Sequence, residues 1–294
     1  MTILENTSVF FIAAIIIGLV YPNFSGFTGQ YIILFFIVAA TLSLTHLNLT
    51  RKDTRENASA SLKAVLLSYG LLTGVTILAA YMLVPDPEHF AGFIVMAAAP
   101  PAVAVIPFTY LLKGNTKIAL GGELLNYLLA LALAPLITII FLGSAVDVFE
   151  IMKALSLIII LPLIISRGLI NHPHSLDSLQ KITVNFCFGF INYSVIGLNH
   201  ASIFTDAMAI WPILIVHFLT VFGAGTLVYV AGRRMRVKKE TCIPYTLFGA
   251  FKNGGMSATL AILLISPAAS LPAALHGAFT ISFFVLLGYL VRRC

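Results

Sequence analysis

Lys252 and Glu123 are the residues of this 294-residue chain whose types and placement could do chemistry. Each is a single charge set inside a long apolar run, Glu123 near 118–142 and Lys252 near 242–265. A lone ammonium or carboxylate in hydrocarbon costs ~2.5–3.5 kcal/mol even on a lenient insertion scale. Either the two pair, or each faces a wet cavity. Two readings stay open. Lys252 is a titrating group or fixed cation that meets an anionic substrate, with its protonation linked to substrate or conformation. Alternatively, Glu123 and Lys252 lock two helices together.

Lys252 stands within an interruption, Lys252-Asn253-Gly254-Gly255, and about 150 residues earlier Pro100-Pro101 interrupts another apolar run. Proline has no amide hydrogen and clashes with the preceding turn, so Pro100 and Pro101 free carbonyls near mid-membrane. Gly254 and Gly255 supply backbone freedom at the corresponding place. Freed backbone polar groups survive in lipid only where protein, water or ligand satisfies them. Interruptions at matching positions in two halves point to a transporter's binding site. The neighbouring polar residues suit a cavity: Asn253, Ser257 and Thr259, Asn126 and Tyr127 beside Glu123, and Thr109 and Tyr110 after Pro107.

Other polar residues, Asn185, Asn192, Ser194, His217, Thr220 and His276, are single and form no constellation. The cysteines, Cys187, Cys242 and Cys294, lie far apart and make neither a disulfide framework nor a metal knuckle. No phosphate-binding glycine loop or metal-ligand spacing occurs. The sequence therefore calls for no catalytic residue, no metal and no cofactor.

The elements that hold these residues follow from composition. Sixty per cent of the residues are hydrophobic and 10% charged, with mean hydropathy +1.02. Soluble domains carry about 25% charged residues, so an ordinary soluble enzyme is excluded. A helix needs about 20 apolar residues to cross roughly 30 Å of hydrocarbon. Ten runs qualify, near 5–21, 30–49, 62–84, 89–112, 118–142, 149–169, 183–201, 206–231, 242–265 and 272–291. Loops 50–61, 113–117, 167–181 and 233–239 with the tail 292–293 hold 14 of the 17 Lys and Arg. The five opposite loops hold none. The positive-inside rule then sets both termini in the cytoplasm. The basic stretch Arg233–Lys239 reads as a topology anchor rather than a nucleic-acid site. The expected fold is an all-α polytopic membrane protein of ten transmembrane helices. They form two inverted five-helix repeats, 1–142 and 143–294, with helices four and nine broken.

Two segments carry a family resemblance. Residues 92–101, Gly-Phe-Ile-Val-Met-Ala-Ala-Ala-Pro-Pro, with 108–115, Phe-Thr-Tyr-Leu-Leu-Lys-Gly-Asn, resemble the fourth helix of the bile acid:sodium symporter family. Residues 253–261, Asn-Gly-Gly-Met-Ser-Ala-Thr-Leu-Ala, resemble its ninth. The resemblance implies that broken helices four and nine cross at the centre of a core, 62–142 and 206–294. That core would move against a panel, 1–49 and 149–201, with an organic anion bound near the crossing. The family's Pro-Gly-Gly turn and Ser-Asn pair align here with Pro100-Pro101-Ala102 and Val105-Ile106. Its sodium-binding Ser and Thr of helix five align with Ala119 and Glu123, and its Glu and Gln of helix nine with Phe248 and Lys252. Asn253 is retained. Hydrocarbon side chains offer sodium no oxygen and an ammonium repels it, so classical sodium coupling is not expected.

The expected function is secondary transport of a small organic anion by alternating access. It is coupled to protons through Lys252 and Glu123 or runs as a sodium-independent uniporter. The alternatives are a transport-inactive ligand-binding or sensor protein and, less favoured, an intramembrane enzyme. The candidate substrate and coupling residues are Lys252, Glu123, Asn253, Pro100, Pro101, Thr109, Asn126, Gly254, Gly255 and Ser257. The expected partners are the anion, protons and the lipid bilayer of the cell inner membrane, with no nucleic acid; oligomeric state stays open.

Overall fold

Short polar residues and prolines set where the helices start and stop. Asp86 caps one helix, accepting the His89 amide at 2.8 Å, with Pro87 in its first turn. Asn115 caps another, accepting the amides of Lys117 and Ile118, and Asp147 a third. Such caps satisfy amides that have no partner within the helix. The computed structural model describes residues 7–45, 57–143, 147–169, 177–205 and 207–293. Residues 50–56 of one basic loop and 170–176 of another lie outside them.

In chain order the helices are α1 (Thr7–Val20), α2 (Ser25–Gly29), α3 (Ile32–Leu44), α4 (Ala58–Leu83), α5 (Pro87–Ala98), α6 (Val105–Leu111) and α7 (Thr116–Leu142). They continue with α8 (Phe149–Gly168), α9 (Asp177–Leu198), α10 (His200–Thr205), α11 (Ile210–Arg234), α12 (Lys239–Phe248), α13 (Gly254–Leu264) and α14 (Leu271–Arg293). Three long helices contain π-helical turns: Leu66–Leu72 in α4, Ser156–Ile160 in α8 and Phe218–Ala224 in α11.

The expectation of ten transmembrane helices in two inverted five-helix repeats is not met. Among the described residues six helices are long and apolar enough to span, namely α4, α7, α8, α9, α11 and the segment Ala268–Arg292. A seventh arises only if Val9–Val20 and Pro22–Gly29, bent by 91°, count as one span. Two of the six lie in residues 1–142 and four in 143–294, which is not a five-and-five division. The reason is local. An apolar run of spanning length is not always one helix: residues 89–112 divide into α5 and α6 around the prolines. Residues 242–265 divide between α12 and α13, and α3 has 13 residues. The chain is an all-α, multi-pass membrane protein.

α9 packs against α1, α2 and α3, and α8 joins this group through α3. α5 packs against α4, α7 and α13, and α13 against α14. Phe36, Val95, Tyr127, Ile158, Ile191 and Met256 share one buried cluster across the two groups. A second cluster gathers Ala64, Val105, Phe248, Phe251 and Phe283. Close approach depends on small residues, as is usual for helices in lipid. A Cβ on Gly92 of α5 would run into the Ala269 carbonyl oxygen. One on Gly122 of α7 would lie 2.7 Å from the Phe248 ring and 2.8 Å from Ala64.

Candidate functional site

Proline at 100 and 101 leaves the end of α5 with a run of carbonyls that its own helix cannot satisfy. The amides that would bond Met96 and Ala97 in a continuing helix are absent, and the next carbonyls belong to a helix end. Donors from two other elements meet four successive ones. Thr73 Oγ1 of α4 donates to Ala97 O at 2.7 Å, and Tyr69 OH to Ala98 O at 3.2 Å. Lys252 Nζ donates to Ala99 O at 2.9 Å. The amide of Asn253 completes the set, donating to Pro100 O at 3.0 Å.

The two interruptions therefore meet directly. Residues 249–253 separate α12 from α13, and Asn253 caps α13 by accepting the Met256 amide at 3.0 Å. Its side-chain amide donates to Tyr127 OH of α7 at 2.8 Å, and its carbonyl accepts the Ser257 hydroxyl at 2.7 Å. Gly254 and Gly255 lie in helical backbone, and among the described glycines only Gly143 has positive φ. Their use here is contact rather than conformational freedom. A Cβ on Gly254 would lie 3.0 Å from Ala273 O, and one on Gly255 would lie 3.2 Å from the Phe188 ring.

Lys252 is buried, with its ammonium 2.9 Å from Ala99 O, 3.4 Å from Ser68 Oγ and 4.4 Å from the centre of the Tyr69 ring. These are a helix C-terminal carbonyl, a hydroxyl and an aromatic face, each attractive to a cation. Glu123 is not among its partners. Of the two arrangements left open by the sequence, the ion pair does not form. Glu123 is fully buried on α7, and neither carboxylate oxygen has a hydrogen-bond partner. Asn126, one turn along α7, donates to Gly122 O at 2.8 Å, while its Oδ1 is likewise unpartnered. Three buried acceptor atoms thus sit on one stretch of α7 without a donor.

The remaining candidates divide. Pro100, Pro101, Lys252, Asn253, Gly254 and Gly255 belong to the junction, and Ser257 adjoins it. Thr109 of α6 is buried with an unpartnered hydroxyl, beside Gly114 and not in the junction's hydrogen bonds. Tyr110 is exposed. Asn192 and Ser194 bond within α9 and to Thr28. Ser68, Tyr69 and Thr73, which supply the junction from the π segment of α4 and the residue after it, have no conspicuous sequence signal. The one available was a short series of hydroxyls, 68, 69, 73 and 76, in an otherwise apolar run. His217 and His276, single in sequence, are adjacent in space: their Nδ1 atoms lie 3.4 Å apart.

Among the described residues no group of three His, Cys, Asp or Glu could hold a metal ion. The arrangement offers a buried cation, an unpartnered carboxylate and two broken helices in mutual contact, which suits binding and movement rather than bond chemistry. Residues 31–230 match the family described as the Sodium Bile acid symporter family. No curated protein matches the chain.

Proposed function

This chain belongs to the Sodium Bile acid symporter family, and we propose that it carries a small organic anion across the cell inner membrane without classical sodium coupling. A multi-pass protein of a symporter family is a transporter, not an enzyme. In our reading a core of residues 62–142 and 206–294 moves against a panel of residues 1–49 and 149–201, with both termini cytoplasmic. The substrate meets the core at the junction of α5 with α13, close to Lys252, Asn253 and Glu123.

One observation carries this reading: the Lys252 ammonium sits where the two interruptions meet, bonded to the carbonyl that ends α5. A protein-borne cation at that point takes the electrostatic place that a bound ion would fill. Sodium needs several hard oxygen ligands, whereas Val105, Ile106, Ala119 and Phe248 present hydrocarbon. Glu123, buried and without a donor, is the group suited to take and release a proton during transport.

Ligand-induced thermal stabilisation of the detergent-purified chain tests the reading. Carboxylates, sulfonates and sterol-like anions are compared at about pH 5.5 and about pH 8.5, with sodium or choline. A ligand that binds only the native state raises apparent stability. An anion that stabilises without sodium and then exchanges across proteoliposomes supports the proposal. A requirement for sodium overturns the coupling claim. Binding without flux makes the chain a ligand-binding protein instead.

A further inference from the structure

The two buried histidines form a closed hydrogen-bonded chain that ties the broken segment to two helices. The Lys252 amide donates to His276 Nε2 of α14 at 3.2 Å. His276 Nδ1 faces His217 Nδ1 of α11 at 3.4 Å. His217 Nε2 reaches the Pro272 carbonyl at 2.7 Å. Both rings are buried.

Donor and acceptor chemistry assigns every proton. A backbone amide only donates, so His276 Nε2 must hold a lone pair, and the neutral ring carries its hydrogen on Nδ1. A carbonyl only accepts, so His217 carries its hydrogen on Nε2 and presents a lone pair at Nδ1. The chain then runs without conflict from Lys252 N–H through His276 and His217 to Pro272 O. The two imidazoles are neutral and in opposite tautomers.

An additional proton has two places to go. On His276 Nε2 it would face the Lys252 amide hydrogen; on His217 Nδ1 it would face the His276 Nδ1 hydrogen. Either sets two donors against each other, so the chain cannot accept a proton and stay closed. The surroundings offer no compensation. Phe93 of α5 and Phe279 of α14 flank His217, and the residue whose amide meets His276 is the cationic Lys252. Tyr69 of α4 lies beyond the Lys252 ammonium. No carboxylate pairs with either ring among the described residues.

We infer that His217 and His276 are a proton-binding site distinct from Glu123, acting as a clasp whose protonation releases the Lys252 backbone from α14. The release frees residues 249–253 on one side while the Ala99 and Pro100 contacts hold them on the other. This inference does not depend on what the chain transports, because its readouts are tautomer and amide exchange.

The test uses the full chain in lipid nanodiscs with nitrogen-15 histidine, its signals assigned by loss in the single variants His217→Gln and His276→Asn. At about pH 8 the expected spectrum has a neutral His276 protonated on Nδ1 and a neutral His217 protonated on Nε2. As the pH is lowered from about 8 to about 4, protonation of the pair accompanies about a tenfold rise in amide exchange at 249–253, after correction for the intrinsic pH effect. In His276→Gln the side-chain oxygen can accept the Lys252 amide but cannot titrate, so exchange there becomes independent of pH. The same tautomer in both rings at about pH 8, a pair still neutral at about pH 4, or protonation without a rise in exchange, overturns the clasp. So does unchanged pH-dependent exchange in His276→Gln. Should the variants not fold, wild-type spectra with signals assigned by sequential labelling, together with exchange data, decide it.

Discussion

The Lys252 ammonium donates to the carbonyl oxygen of Ala99 at 2.9 Å, across 153 positions of sequence. That bond joins the end of α5 to the gap before α13, and it replaces the ion pair with Glu123 that charge alone suggests. A helix C-terminus carries partial negative charge on its unbonded carbonyls, so a cation there is stabilised without a carboxylate.

Replacing Lys252 by Met removes this cation and leaves Ala99 O without a donor. Flux of the identified anion in proteoliposomes is expected to fall at least about tenfold, the scale of one lost charge-assisted hydrogen bond. Added sodium is not expected to restore it. Normal flux in the variant would mean that the cation is not needed for transport.

Glu123→Gln separates a proton carrier from a structural lock. An unpartnered carboxylate contributes no bond, so stability should hold or improve by up to about 1–3 kcal/mol in thermal unfolding. The difference in flux between about pH 5.5 and about pH 8.5 should disappear. A lock would instead lose about 3–5 kcal/mol, as broken buried pairs do.

Asn253 makes two separable bonds. Asn253→Ala loses both the cap on Met256 N and the bond to Tyr127, and is expected to cost about 2 kcal/mol. Asn253→Asp keeps the cap oxygen and loses the donor to Tyr127, so its loss should be smaller at neutral pH. Equal destabilisation of the two variants in denaturation would show that capping is not what Asn253 contributes.

Gly92 and Gly255 predict different tolerances. Alanine at 92 meets the Ala269 backbone oxygen, which cannot rotate away, and should cost about 1–3 kcal/mol. Alanine at 255 approaches the Phe188 ring at 3.2 Å, and a ring edge can yield by tenths of an ångström. Melting temperatures should therefore fall clearly for Gly92→Ala and little for Gly255→Ala.

By itself the sequence determined the solvent and the all-helical class of the chain. Composition requires a membrane, a membrane requires locally paired backbone, and Pro100-Pro101 requires a helix to stop. It also marked Lys252 and Glu123, because a charge in an apolar run is costly wherever the chain folds. The number of spanning helices was not legible in the same way. Hydropathy counts apolar residues, whereas spanning depends on whether they form one helix or two, and α5 with α6 form two. The partners of Lys252 were hidden for a second reason. Ala99 offers only its carbonyl, a group every residue carries, so no residue type signals it. Ser68 and Tyr69 reach the ammonium only once α4 is laid against α5 and the gap before α13. Likewise, His217 and His276 are 59 positions apart, and only the packing of α11 on α14 makes two single histidines into a pair.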